Sequence, residues 1–485
     1  MNRRVLLILV IAAACLAAAL SMYVVRLDAN ALRELTGKLG ATVSFTGARP
    51  SMRGAQFRDA IFRRSGAFDL YLVVPSLQAA RRDDTWTMLA EEGNVHAFGS
   101  SFSLPSGIVR RAEFTFGHGQ IAFDGAVAAP FFMIDTPQVH DRPLIWKDLV
   151  FTASGHVDEA TAMLTLDSGS AQKDGASVDV SGSWRVGFSA RPVRLEFHAR
   201  GVRGEEVRKL LPEVLTTRLG DVRFGGEIGF SLVIHAGESP SEPVRVALDL
   251  DNRLTVKGLG EGCNLQPLAT RFLWDEYDSS GGSIGHESGP TSAGWCPPES
   301  IPSAFTETVI AITDPLFPVH RGTSPRIVAG LLEDAINGTP HENESATVTE
   351  RFAATLWPLP GSGLRRRVEL AILAVHLEQS LNKQSILAHF ANTADFGHGV
   401  RGLREAARHF FAKPAEDLTV CESVLLAMIA ASPSEPVVDN QGHALPTAAR
   451  AAQAQLDDLL RRGLVTQEQH RSALAELRLE SAPQG

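Results

Sequence analysis

The chain has 485 residues, of which 44% are apolar and 21% are charged, and its formal net charge is −9. This length exceeds one ordinary hydrophobic core and predicts two or three domains. The composition excludes a disordered or fibrous chain. The negative net charge argues against nucleic acid as a partner, because binding to phosphates requires a marked excess of Lys and Arg.

The first 26 residues predict a membrane anchor. Arg3 and Arg4 precede an uncharged, mostly apolar run over residues 5–25, which ends at Arg26. A helix of this length measures about 31 Å and crosses the hydrocarbon core of a bilayer. The run is longer than the apolar region of a cleavable signal peptide, although the small residues at 17–19 keep cleavage open. The charges predict a single-pass protein of the bacterial inner membrane with its bulk in the periplasm.

Residues 27–260 predict a β-rich region. Apolar and polar residues alternate over short runs that are separated by Gly, Asp and Ser, which is typical of antiparallel strands with one buried face. A helical pattern interrupts these runs at 205–219. The clearest predicted strands are 177–186, 193–200, 226–235 and 244–251, and a short helix is predicted over 30–39.

The opening of the β-rich region resembles the N-terminal part of AsmA-like proteins. The resemblance lies in the order of an anchor, a short helix (ALRELTGKLG, 31–40) and strands (ATVSFTGARPSMRGAQFRDAIF, 41–62). It implies an inner-membrane-anchored periplasmic protein that builds a long β-groove. The alternative is a generic β-sandwich that holds the next domain away from the membrane.

Residues 261–298 predict a linker between two domains. The stretch 279–294 is rich in Gly and Ser and has no periodicity, which is typical of a loop. Cys263 and Cys296 flank it. In an oxidising compartment these two residues form a disulfide or stay as two thiols, and the sequence leaves both alternatives open.

Residues 299–480 predict a helical domain. Apolar residues recur at helical spacing, most clearly over 364–380, where Val368, Ile372 and Val375 share one face. Pro414 and Pro433 fall between helices. The predicted helices are 305–311, 325–337, 346–356, 364–380, 383–392, 403–411, 419–431, 447–462 and 466–479.

The run FGHGVRGLREAARHFFAKPAEDLTVCESVLLAMIAASPSEP, residues 396–436, resembles peptidoglycan glycosyltransferases, the transglycosylase domains of penicillin-binding proteins (glycosyltransferase family 51). The resemblance extends from residue 301 to roughly residue 480 and implies a helical, lysozyme-like fold. Those enzymes polymerise lipid II with a glutamate as general base, and basic residues, often with divalent Mg or Mn, stabilise the pyrophosphate leaving group. The matching positions are Gly397, Gly399, Gly402, Ala406, Ala407, Phe411, Lys413, Leu418, Glu422, Leu425, Leu426 and Pro433.

The first family motif, E-D-x-x-F-x-x-H-x-G, reads TDPLFPVHRG over residues 313–322. Asp314 and His320 are retained, and the resemblance implies that His320 is a substrate-binding residue. Thr313 stands where the family has its general-base glutamate, and a threonine hydroxyl accepts no proton at neutral pH. Asp314 is the alternative base, one residue away and one methylene shorter.

The second family motif, G-G-S-T-(I/V)-T-Q-Q-L-x-K, reads ESATVTERFAA over residues 344–354. Thr347 and Thr349 survive, and the resemblance implies that they contact substrate. Both glycines and both glutamines are replaced. Ala354 replaces the lysine that faces phosphate in the family. Asn392 also matches a family position and is a further candidate for substrate binding.

The third family motif, R-K-x-x-E, lies at the start of the helix predicted over 364–380. Ungapped alignment puts Leu370 at the position of the second glutamate. Glu369 fits the motif only after a shift of one residue, which turns a helical side chain by about 100°. Such a shift requires a bulge in the helix. The candidate phosphate-binding residues are Arg365, Arg366 and Arg367.

These substitutions leave three hypotheses. The first is a catalytically impaired transglycosylase-like protein that binds lipid II, another lipid-linked glycan or a cell-wall synthase. The second is an active, divergent transglycosylase that uses Asp314 or Glu369. The third is an envelope protein that handles lipid through its β-rich region. Whether the protein is an enzyme stays open at this stage, because both expected glutamates are replaced.

Overall fold

The structure of the protein is a computed structural model. It describes residues 41–51, 54–64, 68–82, 85–99, 102–117, 120–134, 142–158, 160–161, 163–185, 191–216, 219, 221–236, 242–277, 282–337, 346–359, 364–439 and 442–480. The anchor predicted over residues 1–26 and the helix predicted over 30–39 lie outside these ranges. Within them, no helix has the length and apolar character needed to cross a membrane.

The β-rich region predicted from the alternating pattern is confirmed. In the described residues it contains one antiparallel sheet of 13 strands, in which β1 and β2 both pair with β3. From β3 to β11, and on to β13 and β14, strands that follow each other along the chain are neighbours. The strands are β1 (Ala41–Ser44), β2 (Gly47–Ser51), β3 (Gly54–Arg64), β4 (Phe68–Arg82), β5 (Thr85–Gly99), β6 (Phe102–Gly117), β7 (Gln120–Ile134), β8 (Leu144–Asp158), β9 (Met163–Lys173), β10 (Ala176–Arg185), β11 (Arg191–Arg203), β12 (Arg223–Gly225), β13 (Glu227–His235), β14 (Arg245–Asn252) and β15 (Thr255–Lys257).

Alternation along the strands gives the sheet one apolar, buried face. In β8, buried and partly exposed residues alternate from Leu149 to Asp158. Before that point Leu144 is buried, so the buried positions change from even to odd numbers within one strand. Asp148, which lies between these two parts, has a φ of +56°. A residue in the left-handed region of φ and ψ alters which face of the sheet the following side chains point to. Asp148 therefore accounts for the switch of the buried positions from even to odd numbers.

A short helix, α1 (Gly204–Leu210), follows β11 and is succeeded by a single 3-10 turn, Glu213–Leu215. The sequence predicts a longer helix over 205–219. Pro212 explains the difference, because a proline disfavours the α conformation of the residue before it. Leu211 accordingly has an extended backbone, with φ −76° and ψ 124°.

Residues 261–298 differ from the linker that the sequence predicts. They contain a β-hairpin of β16 (Phe272–Tyr277) and β17 (Ser283–Ser288). Phe272 and Trp274 on this hairpin are buried in the same core as the helices. The Gly- and Ser-rich composition indicated a loop, but the apolar residues before it bury enough surface to hold the segment against the helical domain.

Cys263 and Cys296 are both free thiols in the structure. Of the two alternatives that the sequence left open, the structure therefore has two thiols. Burial raises the pKa of the Cys296 thiol to about 11 and also raises that of Cys263. A thiol with a raised pKa is a weak nucleophile, so neither cysteine has the character of a reactive site.

The helical character predicted for the C-terminal region is confirmed, and the helix bounds lie within a few residues of those predicted. Phe305, Phe317, Phe352 and Phe396 are fully buried at its centre. The helices are α2 (Ser303–Thr313), α3 (Pro325–Asn337), α4 (Val348–Leu356), α5 (Leu364–Ser380), α6 (Lys383–Thr393), α7 (Leu403–Phe411), α8 (Val420–Ala431), α9 (Pro446–Arg461) and α10 (Gln467–Glu480).

Two helices of this domain bind the backbone of the β-rich region through side chains. On α3, the Asn337 side chain accepts from Val244 N at 2.8 Å and donates to Val244 O at 2.9 Å. Glu333 accepts from Val246 N at 3.1 Å. On α5, Gln379 makes the corresponding pair of bonds to the backbone of Val256 in β15. These bonds join the helical domain to the backbone at Val244 and Val246, around the start of β14, and at Val256 in β15.

Candidate functional site

The retained residues of the first motif form a buried hydrogen-bonded pair. Asp314 is fully buried, and His320 Nε2 donates to its two carboxylate oxygens at 2.8 and 3.0 Å. Val348 N at the start of α4 donates to Asp314 Oδ2 at 3.2 Å. A buried carboxylate needs such partners because its desolvation is otherwise strongly unfavourable. This pair fixes the loop between α2 and α3 against α4.

The retained threonines of the second motif extend these contacts. Thr347 is the N-cap of α4, and its Oγ1 donates to Gly322 O at 2.8 Å. Thr349 Oγ1 donates to Glu378 on α5 at 2.6 Å, and Lys383 Nζ binds the same carboxylate at 2.7 Å. We call the set of Asp314, His320, Thr347, Thr349, Glu378 and Lys383 the buried polar network.

Gly322, the last residue of the first motif, permits close approach of that loop to α5. Its φ is +85°, and a Cβ there would lie 2.7 Å from Val375 N. Any other residue would meet both backbone strain and a steric clash. The glycine is therefore required by packing of the loop against the helix.

A cleft of about 330 Å³ lies in front of this network, between α4, the start of α5 and the turn that follows α8. Leu370 and Ala354, at positions where the resemblance predicts a glutamate and a lysine, both line the cleft, and so does Arg366. The full lining is Ala346, Glu350, Arg351, Ala354, Arg366, Leu370, Asp395, Ala431, Ser432, Pro433, Ser434 and Glu435.

Thr313 and Asp314 are not among the described residues that line the cleft. Thr313 is the last residue of α2, and its hydroxyl is buried without a hydrogen-bond partner among the residues that the structure describes. Asp314 is held by His320 and Val348. Accepting a proton from a ligand in the cleft would require Asp314 to give up these hydrogen bonds.

Glu369 and Leu370 lie on one uninterrupted α-helix, α5, so the bulge that a shifted motif requires is absent from these described residues. Leu370 is 2% exposed at the cleft wall. Glu369 is fully buried, and Arg365 Nε donates to its Oε1 at 3.2 Å. The side chain that reaches the cleft is therefore the leucine, whereas the neighbouring carboxylate pairs with an arginine on its own helix.

The other candidate substrate-binding residues have structural contacts. The Asn392 side chain bonds to the backbone N and O of Cys296 at 2.6 and 2.8 Å and to Ala388 O at 2.8 Å. His320 borders a separate cavity, next to β14, together with Asn252. Arg367 lies close enough to Glu350 to lower the pKa of that carboxyl.

Glu350 is a cleft residue that the sequence reasoning missed. It is 7% exposed, lines the cleft, and accepts from Thr347 N at 2.8 Å through Oε2. Burial raises the pKa of this carboxyl to about 7, although the Thr347 bond and the Arg367 charge lower it. The T-x-x-E spacing of a capping box was readable in the sequence, but it indicates a helix start and gives no information on burial.

The described residues offer no ligand set for the divalent ion that the resemblance implies. No group of three or more His, Cys, Asp or Glu side chains is arranged there to hold a metal. In the cleft, Asp395 pairs with Arg401 at 3.1 Å.

These features define a multidomain protein in which a β-rich region is followed by a helical domain that has a charged cleft and a buried polar network. The helical part is a transglycosylase domain: the family model described as Transglycosylase matches residues 281–459.

The chain is similar to several known proteins over this part. It is 35% identical over 144 residues to a biosynthetic peptidoglycan transglycosylase of Shewanella denitrificans. These residues cover 30% of this chain and 62% of that protein. It is 29% identical over 158 residues to penicillin-binding protein 2D of Bacillus subtilis, covering 33% of this chain and 23% of that protein. Penicillin-binding protein 1A of Escherichia coli is 28% identical over 171 residues, which cover 35% of this chain and 20% of that protein. The chain thus spans less than two thirds of each of these relatives.

Proposed function

We propose that this protein binds lipid II or another lipid-linked glycan in the cleft, acts in cell-wall biogenesis at the periplasmic face of the inner membrane, and is impaired in glycan polymerisation. A cell-wall synthase is the partner we expect for such a binding protein. The ligand class rests on the family of the helical domain. The location rests on the predicted anchor over residues 1–26.

The observation that carries the proposal is the chemistry of the cleft wall. Leu370 occupies the wall at the position of an expected glutamate, and Thr313 ends α2 at the position of the other. The two neighbouring carboxylates, Asp314 and Glu369, are fully buried and paired. Loss of a general base typically lowers a rate by about 10²–10⁴.

The cleft nevertheless retains features for binding. Arg351 and Arg366 line it and supply positive charge for a pyrophosphate. Ser432 and Ser434 supply hydroxyl groups for hydrogen bonds to a sugar.

The first test is polymerisation of labelled lipid II by the purified full chain in detergent with a divalent cation. We expect no polymer from the wild type and partial activity from a Thr313→Glu/Leu370→Glu variant. A Thr313→Gln/Leu370→Gln variant is the matched control, since it adds similar volume without a carboxylate. Polymer from the wild type would contradict the impairment.

The second test is binding of lipid II to the same wild-type protein. We expect saturable binding that is weakened by Arg366→Gln. If the folded wild-type protein binds no lipid II, the proposed ligand is wrong. The transglycosylase domain would then serve to bind another partner, such as a synthase.

A second candidate function is an active, divergent transglycosylase, and Glu350 is the observation that favours it. A carboxyl with a pKa of about 7 beside the cleft suits proton transfer near neutral pH. Under this alternative the wild type makes polymer and Glu350→Gln abolishes it. Asp314 and Glu369 are less suited to the role because both are fully buried and each is bonded to a basic side chain.

A third candidate function is lipid handling by the β-rich region, as the AsmA-like resemblance implies. The observation that favours it is the apolar face that runs across long strands such as β7 and β8. Delipidated full-length protein should then take up a fluorescent phospholipid, and a charged substitution on that face, Phe151→Asp, should reduce the uptake. Uptake that is unchanged by this variant would argue against the role.

A further inference from the structure

Glu350 is a carboxyl group built into the wall of the cleft. It occupies the third position of α4, where its side chain closes a capping box with Thr347. The bond to Thr347 N engages Oε2, while the residue also borders the cleft volume. The resemblance to the second motif aligns Glu350 with a glutamine. Compared with that motif, this chain has an ionisable group in place of a neutral one.

Positively charged side chains lie on both helices that line the cleft. Arg351 on α4 lines the cleft and donates to Ala431 O at 3.0 Å. On α5, Arg366 lines the cleft, and Arg367 acts on the Glu350 carboxyl as a nearby positive charge. An anionic group held by Arg351 and Arg366 would lie in the same confined volume as Glu350.

The loop before α3 places one acidic and one basic group behind Glu350. The Asp314 charge raises the pKa of the Glu350 carboxyl, and His320 lowers it. Across the cleft, Asp395 and Glu435 are the other carboxylates of the lining. Asp395 pairs with Arg401, and Glu435 is exposed. Glu350 is thus the most deeply buried of the three cleft carboxyls.

We propose that Glu350 couples binding of the anionic ligand to uptake of a proton, so that the cleft takes a pyrophosphate-bearing glycan together with one proton. The inference rests on the proposed function, since lipid II supplies the pyrophosphate. An ionised Glu350 repels a phosphate oxygen in a confined, poorly solvated site. A protonated Glu350 donates a hydrogen bond to that oxygen instead.

The direction of the pH dependence follows from burial. Because the pKa of free Glu350 is raised to about 7, the carboxyl is protonated below this pH and binding needs no further proton. Above it, the ligand binds only after a proton is taken up. Affinity then falls by up to about tenfold for each pH unit, as linkage requires for one coupled proton.

The experiment is titration calorimetry of the full chain in detergent with lipid II at pH 6, 7, 8 and 9. Lipid II is a suitable probe because its pyrophosphate is a diester and does not titrate over this range. Each titration at pH 8 is repeated in buffers of different ionisation enthalpy, which gives the number of protons taken up. Glu350→Gln removes the titrating group and keeps the capping box. Glu435→Gln is the matched control, because it removes the same charge from an exposed site of the same cleft.

Three results support the inference together. For the wild type, the Kd for lipid II rises by about tenfold per pH unit above pH 7, and proton uptake on binding approaches one. For Glu350→Gln, the Kd does not change with pH. For Glu435→Gln, the Kd changes with pH as it does in the wild type. A flat wild-type profile, or a slope that persists in Glu350→Gln, overturns the inference and leaves the binding function intact. Absence of lipid II binding by the wild type and both variants at every pH overturns the proposed function and this inference with it.

Discussion

The buried polar network and the cleft in front of it share α4 and α5 but differ in which residues stand at their motif positions. The network keeps the family residues Asp314, His320, Thr347 and Thr349, and all four side chains bond within the protein. On the cleft wall lie Ala354 and Leu370, at motif positions where the resemblance predicts a lysine and a glutamate. The comparison shows that residues at motif positions divide into those that bond loops and helices together and those that line the cleft.

The largest effect that tests this comparison is expected for His320→Ala. The substitution leaves Asp314 as a buried carboxylate without its ring partner, which we expect to lower the free energy of unfolding by about 3–5 kcal/mol. Denaturant unfolding of the full chain measures it. His443→Ala is the control, since His443 pairs with Asp439 at the surface and should change stability by less than about 1 kcal/mol. Equal losses in both variants would mean that the network does not stabilise the fold.

The next effect concerns Glu350→Gln and depends on pH. The pKa of this carboxyl rises from 4.5 to about 7 on folding, so the stabilising protonated form is fully present below pH 4.5 and is lost as the pH rises to 7. We expect the variant to match the wild type at pH 4.5 and to exceed its free energy of unfolding by up to about 3 kcal/mol above pH 7. Unfolding of both proteins across this range is the measurement. A constant difference at all pH values would contradict the raised pKa.

A smaller effect is expected for Asn337→Ala at the junction of the two regions. The variant loses two hydrogen bonds to the backbone of Val244, and we expect a loss of about 1–2 kcal/mol. Hydrogen exchange of the Val244 amide should become faster, while exchange in β8, far along the sheet, should not change. Arg326→Ala on the same helix is the control, because its side chain is exposed. Unchanged exchange at Val244 would show that these bonds are not needed for docking.

The smallest effect on stability is expected for Ala354→Lys, which introduces on the cleft wall the lysine that the resemblance predicts there. Ala354 borders the cleft and is partly exposed, so we expect the free energy of unfolding to change by no more than about 0.5 kcal/mol. Affinity for lipid II should rise several-fold, because the added charge faces the pyrophosphate. A large loss of stability would show that the cleft wall is constrained as tightly as the network.

Helices of the C-terminal domain were predictable because their apolar periodicity is strong. The bounds of α5 and α7 agree with the prediction residue for residue. The hairpin of β16 and β17 was missed because composition alone does not reveal that Phe272 and Trp274 find a core in a distant part of the chain. The break at Pro212 could have been anticipated from the restriction that proline places on the residue before it.

For the site, motif positions indicated which residues had been replaced but not which side chains reach the cleft. Asp314 and Glu369 have the correct chemistry for a base, and only the structure reveals that both are buried and bonded to His320 and Arg365. Glu350 was overlooked because its position is defined by a capping box, a local signal that is independent of depth. Burial results from packing of distant segments, so a local pattern does not encode it.

The side-chain bonds from α3 to β14 have a consequence for how this protein is handled. An unpaired strand edge offers its N–H and C=O groups to other chains and promotes aggregation. Here Asn337 and Glu333 occupy the backbone groups of Val244 and Val246, while Gln379 does so for Val256. A fragment that ends before the helical domain uncovers these groups, so the β-rich region produced alone should self-associate where the full chain stays dispersed.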